Sequence, residues 1–226
     1  MQRKCNSPST ATSEPLFLSK NLIITMKKYY KFYSADNTYI EDVFNNSHLY
    51  MTDYQGMWNT NDDSEGKYWL DASISESLRE KVLHEKRNIM ICCVTNKMRN
   101  ANMWHEFAND GNGICITIHP NTTDRLTSFK VVYQDMRPYI APWQFNNISA
   151  EKIAEKILKH KLSTFSNEFE TRILKRVSDG RRFDFLPVTI DRLYLGWNLA
   201  EDKEREFREY AAHANIKVIK LHKPIL

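Results

Sequence analysis

The sequence predicts an α+β fold with mixed, mainly antiparallel sheets and flanking helices. Segments with the two-residue period of strands mix irregularly with segments of helical period, and no regular strand–helix–strand repeat appears. The chain has 226 residues, which is enough for one substantial core. It has six glycines and no glycine-rich phosphate loop of the Walker A or Rossmann type, which argues against a doubly wound nucleotide-binding sheet.

The chain is predicted to be one α+β domain, residues 26–226, preceded by a leader. Residues 1–20 are polar, rich in Ser, Thr and Pro, and lack periodicity, which is typical of disorder. The predicted disordered leader extends to the residue before Met26 and so covers residues 1–25. Met26 opens a strand-like segment and looks like a natural start. The upstream stretch is therefore interpreted as an alternative start or an added segment.

From the N-terminus, alternating aromatic residues predict a strand over Lys28–Ser34. A short helix over Asn37–Phe44 follows, because polar residues at its start can cap it. The segment His48–Thr52 has the length and alternation of a strand. Apolar residues at helical spacing predict a helix over Ile74–Lys86, and the apolar run Asn88–Thr95 has the length of a buried strand.

In the middle of the chain, Asn102–Asn109 is predicted to be a short helix with an apolar stripe, ended by a glycine. Gly113–His119 and Phe129–Tyr133 are rich in β-branched and aromatic residues and predict strands. Ser149–Ser163 is the clearest helix, because a serine can cap it and its isoleucines and leucines form one face.

Toward the C-terminus, short apolar or alternating runs predict strands separated by one charged helix. The predicted helix is Glu201–Ala212, and the predicted strands are Glu168–Lys175, Phe185–Ile190, Leu193–Trp197 and Ile216–Leu221.

Charge and cysteine usage narrow the functional classes. The net charge of +4, from 32 basic and 28 acidic residues, is compatible with an anionic ligand but is not the concentrated charge of a dedicated nucleic-acid binder. Cys92 and Cys93 are adjacent in a predicted strand and point to opposite faces, and no CxxC or HExxH spacing occurs, so no metal site is predicted. No signal peptide and no apolar stretch of membrane-spanning length appears, which predicts a cytoplasmic chain without a membrane partner.

The strongest candidate motif is Glu168-x-Glu170-x-Arg172. In a strand these three side chains share one face, opposite the apolar face of Phe169, Thr171 and Ile173. Two carboxylates and a guanidinium in a cleft can hold ribose hydroxyls or stabilise a developing cation. The alternative is an exposed ladder of charges on the solvent side of a sheet.

Three weaker groups accompany this motif, and each has a purely structural alternative. The loop Asn59–Gly66, with Asn61 and Asp62, can bind a ligand or merely form turns and a helix cap. In the segment Met103–Ala108, Trp104 is a core anchor by default, while His105 and Glu106 can be polar active-site residues or simply solvated surface. The segment Lys27–Ser34 offers tyrosines for stacking and lysines for a phosphate, as an amphipathic edge strand also does.

These blocks occur in an order that resembles the bacterial family catalogued as domain of unknown function 2971. The resemblance covers about Met26 to Leu221. It departs from the family where Cys93 replaces an aromatic residue and where the first block lacks an arginine. The matching blocks are Tyr30–Ser34, Asn61–Glu65, Ile91–Thr95, Met103–Ala108 with Gly113–Ile116, Lys161–Phe165 with Glu168–Arg172, and Leu193–Gly196.

The layout of these blocks is similar to that of ADP-ribosyltransferase-like folds. That resemblance implies that Glu170 is the catalytic carboxylate beside the nicotinamide ribose of NAD and that Glu168 positions the acceptor. It implies that Arg172 holds the two carboxylates in place. The residues expected at the NAD site are Tyr30, Lys31, Tyr33, Asn61, Asp62, Trp104 and Arg172.

The sequence thus predicts an NAD-dependent ADP-ribosyltransferase or NAD glycohydrolase that acts as a bacterial toxin or phage-defence effector on a protein or nucleic-acid acceptor, with a co-encoded antitoxin or defence protein as a further partner. One alternative is a metal-dependent nuclease in which Asp62, Asp63, Glu65 and Glu168 recruit Mg²⁺. The other is a non-catalytic antitoxin, immunity or sensor module.

Overall fold

A computed structural model of the protein describes residues 27–57, 66–121 and 126–223. Within these ranges the fold is mixed, with helices flanking mainly antiparallel sheets, as predicted. The strands are β1 Tyr29–Ser34, β2 His48–Thr52, β3 Trp69–Leu70, β4 Ile89–Thr95, β5 Gly113–Pro120, β6 Leu126–Lys130, β7 Val132–Gln134, β8 Tyr139–Ile140, β9 His160–Leu162, β10 Glu170–Arg176, β11 Phe183–Leu195 and β12 Lys217–Lys220. The α-helices are α1 Ile40–Asn46, α2 Glu76–Arg87, α3 Ala101–Glu106, α4 Gln144–Asn147, α5 Ala150–Leu158 and α6 Glu201–His213, and Asn109–Gly111 and Ser163–Glu168 are 3-10 helices.

The main sheet has eight strands, and seven of them pair antiparallel in the order β1-β5-β11-β2-β4-β10-β6. β12 joins it parallel to β11. β1 also pairs with β4 at Tyr30 and Thr95, so the pairings of β1, β5, β11, β2 and β4 form a closed circuit. Among the described strands, no two that pair antiparallel follow each other directly along the chain. Two small parallel pairs, β3–β8 and β7–β9, complete the pairing.

One long strand, β11, stands where the sequence predicts two. Its register against β5 shifts between Ile190 and Arg192, which is the mark of a β-bulge. The first half of β11 pairs with β2 and the second half with β5. The polar residue Asp191 at the bulge interrupts the hydrophobic alternation, and this interruption produced the predicted break.

The core lies on both faces of the sheet. On one face, Leu49 and Ile116 pack with Phe207 and Ala211 of α6. On the other face, Ile91 and Leu174 pack with residues of α5, while α2 and α5 pack against each other. Burying each leucine, isoleucine or phenylalanine contributes about 1.5–3 kcal/mol. The two layers therefore stabilise β4 and β10, and these strands carry part of the candidate site.

Helix bounds differ from the predictions where a polar side chain or a strand pairing intervenes. The Asn37 side chain accepts the Tyr39 N–H in a turn, so α1 begins at Ile40 rather than at Asn37. Ser149 caps α5 as predicted, but the helix ends at Leu158 because the chain then enters β9, which pairs with β7. The longest described helix, α6, has 13 residues. About 20 are needed to cross a bilayer, so none of the described helices could do so.

Candidate active site

Strands β1 and β4 are paired at one position and then separate. Tyr30 pairs with Thr95, whereas Lys31 and Phe32 pair only with β5 on their other side. The gap is a cleft with a volume of about 160 Å³, smaller than the roughly 300–1,000 Å³ of sites that enclose a whole drug-sized ligand. The residues that line the cleft are Tyr30, Lys31, Phe32, Met57, Cys93, Val94, Met103, Phe107, Lys161, Phe165, Glu168 and Glu170.

A lysine side chain spans the gap where the two strands diverge. Lys31 Nζ on β1 donates to the backbone carbonyl of Cys93 on β4 at 2.8 Å. This bond joins the two walls of the cleft and places a positive charge between them. The ammonium of Lys31 thus replaces the strand pairing that ends at Tyr30.

Glu170 opens strand β10 and is the most deeply buried carboxylate of the cleft, with 5% of its side chain exposed. Its Oε1 accepts from Arg172 Nε at 2.7 Å, and its Oε2 accepts from Lys161 Nζ at 3.3 Å. Its backbone N–H donates to the Tyr133 hydroxyl at 2.9 Å. Arg172 is fully buried and donates from Nη1 to the Leu158 carbonyl at 2.6 Å.

Two opposing effects act on the pKa of Glu170. Burial raises this pKa, but the charges of Arg172 and Lys161 outweigh burial and lower it well below the ordinary value. The Cys93 thiol lies beside the carboxylate and also lowers this pKa. Burial and the neighbouring Glu170 charge keep the pKa of that thiol well above its ordinary value, so Cys93 is a neutral thiol. Glu170 is therefore ionised at neutral pH.

Lys161 connects the two carboxylates of the predicted motif. Its Nζ donates to Glu168 Oε2 at 2.8 Å as well as to Glu170, and it lies 4.7 Å from the centre of the Phe165 ring. Glu168 is 16% exposed, more than Glu170. The cleft therefore has one buried carboxylate and one that solvent or a ligand reaches more easily.

The sequence places Glu168 in the same strand as Glu170, and this placement is wrong. Glu168 ends a 3-10 helix, and Phe169 then adopts a left-handed backbone conformation with φ of 49°. Thr95 Oγ1 donates to the Phe169 carbonyl at 3.2 Å, and Asn100 Nδ2 donates to the Asn167 carbonyl at 2.7 Å. The kink turns the chain before β10, and Lys161 brings Glu168 back beside Glu170.

Aromatic rings form much of the remaining wall. Tyr30 and Phe32 from β1, Phe107 after α3 and Phe165 line the cleft. Trp104 does not line it but packs behind it, with its ring edge-on to Phe32 at 5.1 Å between centroids. Its indole N–H donates to the Met98 carbonyl at 3.0 Å. Trp104 thus supports the wall from the core.

The structure brings together some of the predicted site residues and separates others. Tyr30, Lys31, Glu168 and Glu170 line the cleft, and Arg172 lies beneath it in contact with Glu170. Tyr33 points away into the main core, where burial raises its pKa well above the ordinary value, so the structure does not place it at the cleft. Asn61 and Asp62 lie outside the described residues.

Two residues that line the cleft with Glu170 are not among the predicted site residues. Lys161 falls in the predicted helix Ser149–Ser163, whereas the structure places it in β9. From the sequence, Cys93 is considered as a metal ligand, which is excluded, and as a departure from a family pattern. Cys93 comes from a distant part of the chain, whereas Lys161 lies only seven and nine residues from the two carboxylates that it contacts. Lys161 was missed because it was predicted to be helical.

Comparison with protein-family models, with curated proteins and with solved structures gave no match. Within the described ranges, no three His, Cys, Asp or Glu side chains come together as metal ligands. Asp62, Asp63 and Glu65, which the nuclease alternative assigns to Mg²⁺, lie outside those ranges.

The cleft combines an ionised, ion-paired carboxylate with aromatic surfaces. A carboxylate that two cations keep ionised carries no proton at neutral pH. Glu170 therefore does not fit the role of a general acid, which donates one. It fits a group that stabilises a developing positive charge or accepts a ligand hydroxyl, because its orientation is set before the ligand arrives. The more exposed Glu168 fits a group that orients an incoming nucleophile.

Proposed function

We propose that the protein is an NAD-dependent ADP-ribosyltransferase or NAD glycohydrolase with a fold of the ADP-ribosyltransferase type, and that it acts as a bacterial toxin or phage-defence effector. The observation that supports this best is the ionised Glu170 at the base of an aromatic-lined cleft between diverging strands. Resemblance of the sequence blocks had already assigned this glutamate to the ribose of NAD.

In the proposed reaction the bond between nicotinamide and the ribose anomeric carbon breaks, and nicotinamide leaves with the electron pair. The sugar carbon becomes positively charged, and Glu170 stabilises that charge. An acceptor or water then forms a new bond at the same carbon and loses a proton. Glu168 orients this nucleophile, and the lost proton passes to solvent.

The aromatic residues of the cleft suit the nicotinamide end of the substrate. Tyr30, Phe107 and Phe165 offer faces and edges to a flat ring. A cleft of about 160 Å³ suits the nicotinamide and its ribose better than the whole dinucleotide. The adenosine half accordingly extends out of the cleft in this proposal.

The test is release of nicotinamide from NAD, measured by chromatography with and without cell lysate as a source of acceptor. Glu170→Gln keeps the shape of the side chain and is expected to lower turnover at least a hundredfold, because the stabilising charge is lost. Glu204→Gln is the matched control, since Glu204 is an ion-paired glutamate on α6 that does not line the cleft. Thermal unfolding of both variants checks that they are folded.

The outcomes separate this proposal from the two alternatives. Unchanged NAD in every lysate, with folded wild-type protein, contradicts the proposal. Metal-dependent RNA or DNA cleavage that Asp62→Ala abolishes indicates a nuclease instead. Tight binding of a co-encoded protein without turnover indicates a non-catalytic module. Growth arrest that persists in Glu170→Gln argues against Glu170 as the catalytic residue.

A further inference from the structure

A second pocket lies at the other end of the contact between β1 and β4. It is shallow, with a volume of about 280 Å³, and it is formed where β1 begins and β6 and β10 run past the end of β4. We refer to it as the lysine pocket, after three of its lining residues. The residues that matter for its chemistry are Lys27, Lys28, Lys130, Asn96, Ser128 and Thr171.

The lysine pocket concentrates positive charge without compensating carboxylates. Its described lining includes three lysines and no aspartate or glutamate. Lys27 contacts a hydroxyl, and Lys28 lies 5.4 Å from the centre of the Tyr30 ring. By contrast, Arg176 elsewhere on the surface contacts three glutamates. Like charges gathered around one concave surface repel each other, and an anion bound there relieves this repulsion.

Two hydroxyl groups add hydrogen-bonding capacity to the lysine pocket. Ser128 Oγ accepts from Lys27 Nζ at 3.1 Å and lies 3.3 Å from the Tyr29 hydroxyl oxygen. Only one hydroxyl of this pair donates to the other, so the hydrogen of the other hydroxyl suits a ligand that accepts hydrogen bonds.

We infer that the lysine pocket binds the phosphate group of a phosphate-bearing ligand. Lysine ammonium groups and hydroxyl donors are the partners that phosphate oxygens take in proteins. The phosphate belongs either to a small phosphate ester or to the backbone of a single-stranded nucleic acid. The inference uses residues that do not line the cleft and does not depend on NAD turnover.

The test compares two variants of equal net charge. Lys27→Gln/Lys28→Gln/Lys130→Gln removes the three lysines of the lysine pocket. Lys81→Gln/Lys217→Gln/Lys223→Gln is the control and removes three exposed lysines that do not line it. Binding of inorganic pyrophosphate is measured by calorimetry, and binding of a fluorescent single-stranded oligonucleotide by anisotropy at several salt concentrations.

The pocket variant is expected to bind at least tenfold more weakly, with the control within twofold of wild type. Saturable pyrophosphate binding with that pattern identifies a small phosphate ligand. Binding of the oligonucleotide alone identifies a nucleic-acid strand. In that case the slope of log affinity against log salt concentration should fall by about two in the pocket variant, since each of the three lysines that contacts a phosphate contributes about 0.7 to that slope. Equal loss in both variants, or no binding of either probe to wild type at low salt, overturns the inference.

Discussion

Removal of the buried guanidinium of Arg172 tests whether the carboxylate at the base of the cleft depends on it. Arg172 is fully buried and donates to Glu170 Oε1 at 2.7 Å and to the Leu158 carbonyl at 2.6 Å. Arg172→Met keeps much of the side-chain volume and removes both bonds. Breaking one side of a buried ion pair costs about 3–5 kcal/mol. Lys161 still contacts Glu170 at 3.3 Å, so we expect about 3 kcal/mol, at the lower end of that range.

The assay is urea unfolding, supported by thermal unfolding, in which the expected loss lowers Tm by roughly 6–12 °C for a chain of this size. The control is the double variant Arg172→Met/Glu170→Gln. The double variant lacks both the guanidinium and the carboxylate, so it leaves no buried charge without its partner. It should therefore regain more than half of the stability lost in Arg172→Met. A loss below about 1 kcal/mol, or effects that simply add in the double variant, refutes the reasoning.

Two further predictions concern pH. The pKa of Glu170 is lowered in the folded protein, so its contribution to stability is present above the ordinary pKa of a glutamate and is lost as pH falls below it. Acid unfolding followed by circular dichroism should therefore be flatter in Glu170→Gln than in wild type, and identical profiles contradict this. Burial lowers the pKa of Lys86 to about 8, although its ammonium donates to the Gly66 carbonyl at 2.8 Å and lies 3.8 Å from the Tyr54 ring centre. Between pH 8 and 10.5, Lys86 binds its proton more strongly in the unfolded chain than in the folded protein, so folding stability rises with pH. From pH 7 to 10, the free energy of unfolding of wild type, measured in urea, should rise by about 2 kcal/mol relative to that of Lys86→Met. A constant difference between the two proteins refutes the assignment.

Local patterns predicted those elements whose residues alternate between core and solvent. His48–Thr52 has the predicted bounds of β2, and β5 begins at Gly113 as predicted, because apolar alternation or continuous apolarity marks both. The cap of α5 by Ser149 was equally predictable, since the serine side chain accepts the Lys152 N–H within one turn. These features depend on residues close together in the chain.

The site was harder to predict, because its geometry depends on contacts between distant residues. The side chains of Glu168 and Glu170 were predicted to meet, but the predicted strand that joins them is interrupted at Phe169. Phenylalanine has no preference for positive φ, so nothing in its identity indicates a kink. Lys161 opens one of the matching sequence blocks, but it is not among the predicted site residues. Its role depends on the pairing of β9 with β7, and both strands are only three residues long.

The strand order of the main sheet has a consequence for how the protein folds. Among the described strands, its antiparallel neighbours come from distant parts of the chain, so none of these pairs is a local hairpin that forms first and guides the others. Sheets dominated by such distant pairings fold slowly, typically in milliseconds to seconds, because each pairing requires closure of a long loop. The cleft takes its walls from β1, β4, β9 and β10. A fragment that lacks any one of these strands should therefore not form the cleft, and a chain emerging from the ribosome should not form it until β10 has joined the sheet.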